Sequence, residues 1–184
     1  MSAGHSDGSG ASKDRGAKVV GTDYWEGDLA IIVRDKIADR LRAGGFKVME
    51  DRNSDALAQT FNFFKALVRT DSINIDIHFN SHVNPRATGT ECFIKSLDVK
   101  NGWQIAWANR FCYTISAVLG IPNRGVKSQT QSARGRLGWM QLTGNNFLFE
   151  IAFVSNSQDV RKFFDNLDLL ADRLAADIGD CATS

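Results

Sequence analysis

Asn74-Ile75-Asp76-Ile77-His78-Phe79-Asn80 alternates polar and apolar side chains. A period of two puts Ile75, Ile77 and Phe79 on one face of a β-strand and Asp76, His78 and Asn80 on the other. Ser81-His82 and then Pro85 follow, so His78 stands near the point where chain leaves sheet. In open α/β sheets that edge is where ligands bind.

Working outward from this strand, helical and strand patterns alternate. Upstream, Leu29, Val33, Ile37 and Leu41 recur at every fourth position and predict a helix over 26–43, stopped by Gly44-Gly45. Glu26 opens that helix, where the dipole favours a carboxylate. Phe46-Lys47-Val48-Met49 reads as a short strand, and 55–69 as a second helix carrying Leu57, Phe61, Phe64 and Val68. Downstream, 89–94 reads as a strand, and 103–119 as a helix with Trp103, Trp107, Phe111, Ile115 and Val118 along one side. The glycine-punctuated stretch 121–146 reads as mostly loop. Residues 147–154 are a nearly continuous apolar run of strand length, the pattern of a strand covered on both faces. A last helix is expected over 157–178, with Phe163, Leu167, Leu170, Leu174 and Ile178 as its stripe. This alternation predicts an α/β fold: a three-layer α/β/α domain whose central sheet is mixed, mostly parallel and flanked by helices.

At 184 residues the chain is expected to be a single domain, 1–184, with 1–21 as a Gly/Ser-rich N-terminal segment carrying His5. A formal charge of +1 gives no reason to expect a nucleic-acid partner. No apolar run approaches the roughly 20 residues of a membrane span, so no membrane insertion is expected. The polar N-terminus is unlike a signal peptide. The expectation is a chain made in the cytoplasm, or a domain trimmed from a longer precursor. Cys92, Cys112 and Cys181 are odd in number and widely spaced, which argues for reduced thiols.

Glu150 is the sharpest anomaly, because it interrupts the apolar run of its strand. An ionised carboxylate there is costly unless it is paired or bound to a metal. An arginine salt bridge would explain it; a catalytic carboxyl with a tuned pKa explains it better. His78 is either a hydrogen-bonded rim residue or a metal ligand. His82 lies four residues on, but Asn84-Pro85 argues against a helical His-x-x-x-His pair, so it reads as a loop residue. His5 sits in Gly4-His5-Ser6-Asp7-Gly8-Ser9-Gly10, a loop with neither a proper strand before it nor the Gly-Lys-Ser/Thr of a phosphate cradle after it. Asp76 shares a strand face with His78 and is a candidate to hold its ring. Asn80, Arg124, Lys127, Arg134, Arg136 and Gln141 are weaker candidates for substrate contact; a solvated basic loop explains the arginines equally well.

The ordered pattern says more than any one motif. Gly4-His5 comes first, then Glu26 opening a helix that ends Ala43-Gly44-Gly45-Phe46-Lys47-Val48. Ile77-His78-Phe79-Asn80-Ser81 is followed by Gly89-Thr90-Glu91, then Arg124-Gly125-Val126-Lys127, then Glu150 and Phe153-Val154-Ser155-Asn156. Over nearly the whole chain this order resembles the zinc-dependent N-acetylmuramoyl-L-alanine amidases that include sporulation-associated and phage lytic enzymes. The resemblance implies one zinc ion per chain held by His5, Glu26 and His78, with Glu150 as catalytic acid and base. It implies cleavage of the amide between N-acetylmuramic acid and L-alanine in peptidoglycan. It also implies a phage-type lysin acting on the wall after release, helped by a separate membrane-permeabilising (holin-type) partner. The family carries a full strand before its Gly-His, whereas only Met1-Ser2-Ala3 stands here. A zinc carboxypeptidase-like peptidase is the alternative enzyme, but neither His5-Ser6-Asp7-Gly8 nor His78-Phe79-Asn80-Ser81 supplies its His-x-x-Glu pair. A wall-binding module without catalysis is the other alternative.

Overall fold

The structure, a computed structural model, describes residues 1–10 and 13–184. The chain runs β1 (Ser2–Ala3), α1 (Glu26–Ala43), α2 (Leu57–Leu67), β2 (Ile73–Asn80), β3 (Thr90–Ile94), α3 (Gly102–Leu119), β4 (Asn123–Ser128), β5 (Asn145–Phe153) and α4 (Ser157–Thr183). The strands form one sheet in the order β1-β2-β5-β3-β4. β1–β2, β2–β5 and β3–β4 are parallel, and β3–β5 is antiparallel. The sheet is therefore mixed and mostly parallel, with helices on its faces, as the alternation of patterns predicts.

The two faces are covered unequally. Ile75, Ile77 and Phe79 of β2, with Phe147, Phe149 and Ile151 of β5, are buried in one cluster with residues of α1, α3 and α4. Burying a side chain such as Phe149, at 0% exposure, stabilises the fold by roughly 1.5–3 kcal/mol. On the other face, Phe64 of α2 and Trp139 and Met140 of a short 3-10 turn cover Phe93 and Leu148. His78, Glu150 and Glu91 form a row across the sheet, each the register partner of the next.

Two expectations need correction. Phe46–Met49 is not a strand. Its neighbour would be β1, whose two residues offer too little edge for a ladder. The edge is closed instead by Asp51, which accepts hydrogen bonds from the Ala3 backbone N–H and the Ser2 hydroxyl and pairs with buried Arg34 at 2.8 Å. The stretch 121–146 is also not mostly loop at its start, because Asn123–Ser128 forms β4. Asn-Arg-Gly-Val-Lys-Ser carries no alternation and little β-propensity; it pairs only as an edge strand, where charged residues are tolerated. Cys92, Cys112 and Cys181 are free and buried. No described helix is long and apolar enough to cross a membrane.

Candidate metal centre and its neighbouring acid

Three separate elements deliver His5, Glu26 and His78 to one point. His5 follows β1, which is held parallel to β2 with Ser2 opposite Asp76 and Ala3 opposite Ile77. The Gly4 N–H extends this pairing by donating to the Ile77 carbonyl at 2.8 Å, so even a two-residue strand fixes the position of His5. Glu26 is the first residue of α1, and the Trp25 N–H before it donates to Asp28. His78 comes from β2. One ligand atom from each of the three lies within 4.8 Å of the others.

Glycines make this convergence possible. A Cβ on Gly4 would lie 2.0 Å from the His78 ring. Gly16 has φ +72°, and a Cβ there would lie 2.5 Å from the Glu26 carboxylate. Gly4 and Gly16 thus serve close approach to the site.

Glu26 is buried and densely bonded. Its Oε1 lies 3.3 Å from His5 Nε2 and 3.2 Å from His78 Nδ1, and accepts from the Phe79 N–H; its Oε2 accepts from the Ala17 N–H. Burial by itself raises a carboxyl pKa, but the two imidazoles outweigh it and hold Glu26 well below the usual carboxylate range. Each imidazole turns its other nitrogen to an aspartate: His5 Nδ1 to Asp14 at 3.1 Å, and His78 Nε2 to Asp76 at 3.2 Å. Carboxylates behind imidazoles in this way orient metal-ligating histidines. Burial would lower the His78 pKa, yet Asp76, then Glu26 and Glu150, raise it well above the ordinary value. Glu26, Asp76 and Glu150 thus crowd carboxyl groups around the His78 imidazole, an arrangement that a cation would offset. Two imidazoles and a carboxylate are a donor set suited to zinc, so the residues present fit such an ion.

Glu150 stands beside His78 on β5. Its Oε2 is buried with no hydrogen-bond partner among the described residues, and the same holds for Asp76 Oδ1. Burial raises the Glu150 pKa from 4.5 to about 8; His78 pulls it down, while Glu26, Glu91 and Asp76 push it further up. The arginine that would have explained Glu150 as a structural ion pair is engaged elsewhere. Arg124 donates to Glu91 at 2.7 Å, Lys127 pairs with the same oxygen, and Asn80 donates to the other at 2.9 Å. Arg134 and Arg136 are exposed, and Arg136 donates to Gln141 at 3.2 Å. His82 lies in the exposed loop after β2.

The candidates His5, Glu26, His78, Glu150 and Asp76 are therefore brought together, whereas Asn80, Arg124 and Lys127 gather around Glu91. The sequence reading missed Asp14 and Glu91 as parts of the site. Asp14 lies in a segment without periodicity, and Glu91 is a lone charged residue in the short strand Thr90–Ile94, with no local pattern to mark it.

Fold and site together define an α/β domain that carries a His/Glu/His donor set for a metal ion beside a buried acid. The family model described as N-acetylmuramoyl-L-alanine amidase matches residues 1–179, and the chain belongs to that family of peptidoglycan hydrolases. Its fold is similar to that of the catalytic domain of CwlV, an N-acetylmuramoyl-L-alanine amidase from Paenibacillus polymyxa var. colistinus, at 22% identity and TM-score 0.72, covering 100% of this chain and 97% of that one. A Neisseria meningitidis protein provisionally assigned as an N-acetylmuramoyl-L-alanine amidase is similar at 27% identity and TM-score 0.76, covering 96% and 90%. The catalytic domain of the CD27L endolysin, which targets Clostridia difficile, is similar at 22% identity and TM-score 0.68, covering 99% and 94%. A comparison with curated proteins found no match.

Proposed function

We propose that this chain is a zinc-dependent amidase that cleaves the bond between the lactyl carbonyl of N-acetylmuramic acid and the nitrogen of L-alanine. His5, Glu26 and His78 hold the metal, one ion per chain, and Glu150 is the acid and base. The observation that carries this reading is the buried, unpartnered Oε2 of Glu150 beside a His/Glu/His cluster whose ligand atoms lie within 4.8 Å of one another.

A zinc ion bound there supplies Lewis-acid activation of water and of the amide carbonyl. The chain's own residues do the rest. Asp14 and Asp76 fix the imidazole rings, each by one nitrogen, and leave the other nitrogen for the metal. Two backbone N–H groups hold the Glu26 carboxylate still. With a divalent cation held by His5, Glu26 and His78, the Glu150 carboxyl would titrate below about 8 and nearer neutrality, where a general base is effective. Glu150 then takes the proton of the attacking water on Oε2 and passes it to the departing L-alanine nitrogen. The C–N bond breaks, leaving a muramic carboxylate and a free amine.

Metal analysis of the purified protein tests the ligand set. About one zinc per chain in the wild type, with loss in His5→Ala and His78→Ala, is expected from a three-ligand site. Full activity in the presence of a strong chelator would overturn it.

For its biological setting we propose a phage-type lysin: one catalytic unit, made in the cytoplasm and reaching the wall with the help of a holin-type partner. The fold it shares with the CD27L endolysin catalytic domain supports this role. Turbidity loss on co-expression with a membrane-permeabilising protein, and none without it, is the expected outcome.

A further inference from the structure

Beside Glu150 lies a second polar cluster that the hydrolytic step does not use. Glu91 of β3 is the register partner of Glu150 and is only 5% exposed. Its Oε2 receives both Arg124 Nε, at 2.7 Å, and Lys127 Nζ; its Oε1 receives Asn80 Nδ2 at 2.9 Å. Burial would raise the Glu91 pKa, but Lys127, Arg124 and Asn80 hold it below the usual range, so the carboxylate is ionised. One cation would neutralise it. Two are present, which leaves the cluster with an excess positive charge. The cations are not sealed in: the side chains of Arg124 and Lys127 are 38% and 25% exposed. Arg124 is further steadied over the Phe153 ring at 5.1 Å.

We propose that Arg124 and Lys127, gripped by Glu91, form an anion subsite for the free carboxylate on the stem-peptide residue that follows L-alanine. The inference rests on the amidase reading and names the substrate feature which that site selects. The spacing fits. β3 adjoins β5 at about 4.8 Å and β4 adjoins β3, so a subsite between them lies roughly 5–10 Å from Glu150. An extended chain advances about 3.5 Å per residue, and the residue after L-alanine falls in that range. Glu91 acts as a positioning residue, since its buried charge fixes two long, flexible cations before substrate arrives.

The test uses two soluble muramoyl-peptides that differ only in whether the carboxylate after L-alanine is free or amidated. Wild type is expected to prefer the free acid through KM, by about tenfold or more for a charge-assisted pair. Arg124→Gln and Lys127→Gln each keep one cation on Glu91 and so keep the fold; both should lose most of the preference, and the loss should appear as a raised KM for the free-acid substrate. Equal loss on both substrates, or no preference in the wild type, overturns the subsite. Calorimetry with the two released peptides separates this from the amidase reading. If wild type cleaves neither substrate, the amidase reading fails. The subsite then stands only if the free-acid peptide still binds more tightly to wild type and not to the variants, and falls if the two peptides bind alike.

Discussion

His78 and Glu150 are register partners on the adjacent parallel strands β2 and β5, so an imidazole and an acid stand side by side on one sheet face. Backbone pairing of the sheet fixes this pair, and the segment after β1 and the first turn of α1 add His5 and Glu26 to it. Catalytic geometry held by a sheet interior is stiffer than geometry held by loops.

The aspartates behind the two histidines should tune metal affinity without being ligands. Asp76→Asn and Asp14→Ala are expected to weaken zinc binding by about 10–100-fold while the fold persists. Titration against a competing chelator measures this. Unchanged affinity in both variants would mean that the imidazoles need no outer support.

Glu150 should leave a mark on the stability of the metal-free protein. Its pKa is raised by burial from 4.5 to about 8, so between these values the folded state keeps a proton that the unfolded state has lost. The contribution is fully present below pH 4.5 and is lost as pH rises through about 8. In chelator, the Tm of wild type should therefore fall relative to Glu150→Gln across this window and run parallel to it above. Each kcal/mol of difference is worth about 2–4 °C for a chain of this size. Parallel curves throughout would show that Glu150 is not held neutral.

Gly4 should be intolerant of a side chain for a local reason. A Cβ at this position would lie 2.0 Å from the His78 ring, so Gly4→Ala must displace the ring or the strand. The expected result is loss of metal at least as severe as in Asp76→Asn, with far-UV circular dichroism near that of wild type. Normal metal binding in Gly4→Ala would contradict the packing described.

Much of this was legible in the sequence because it rests on periodicity. The alternation around His78 and the apolar run broken by Glu150 announce two strands, and helices α1, α3 and α4 carry plain stripes. What escaped depends on pairing at a distance. β4 has no alternation to read, and it is a strand only because β3 offers an edge. Phe46–Met49 has strand composition but no partner long enough to pair with. Asp51, which closes the edge of β1, gives no local signal that it replaces a strand. Glu91 is the instructive case: a glutamate in a strand looks ordinary until the antiparallel register sets it against Glu150.

The most direct test of the account is digestion of purified peptidoglycan by wild type and Glu150→Ala, with products identified by mass and zinc measured in both proteins. Free stem peptides beginning with L-alanine, beside intact glycan strands, are expected from the wild type. In the variant that product should fall by a factor of about 10²–10⁴, with zinc retained. Cleavage within the peptide, or an undiminished rate in Glu150→Ala, would contradict it.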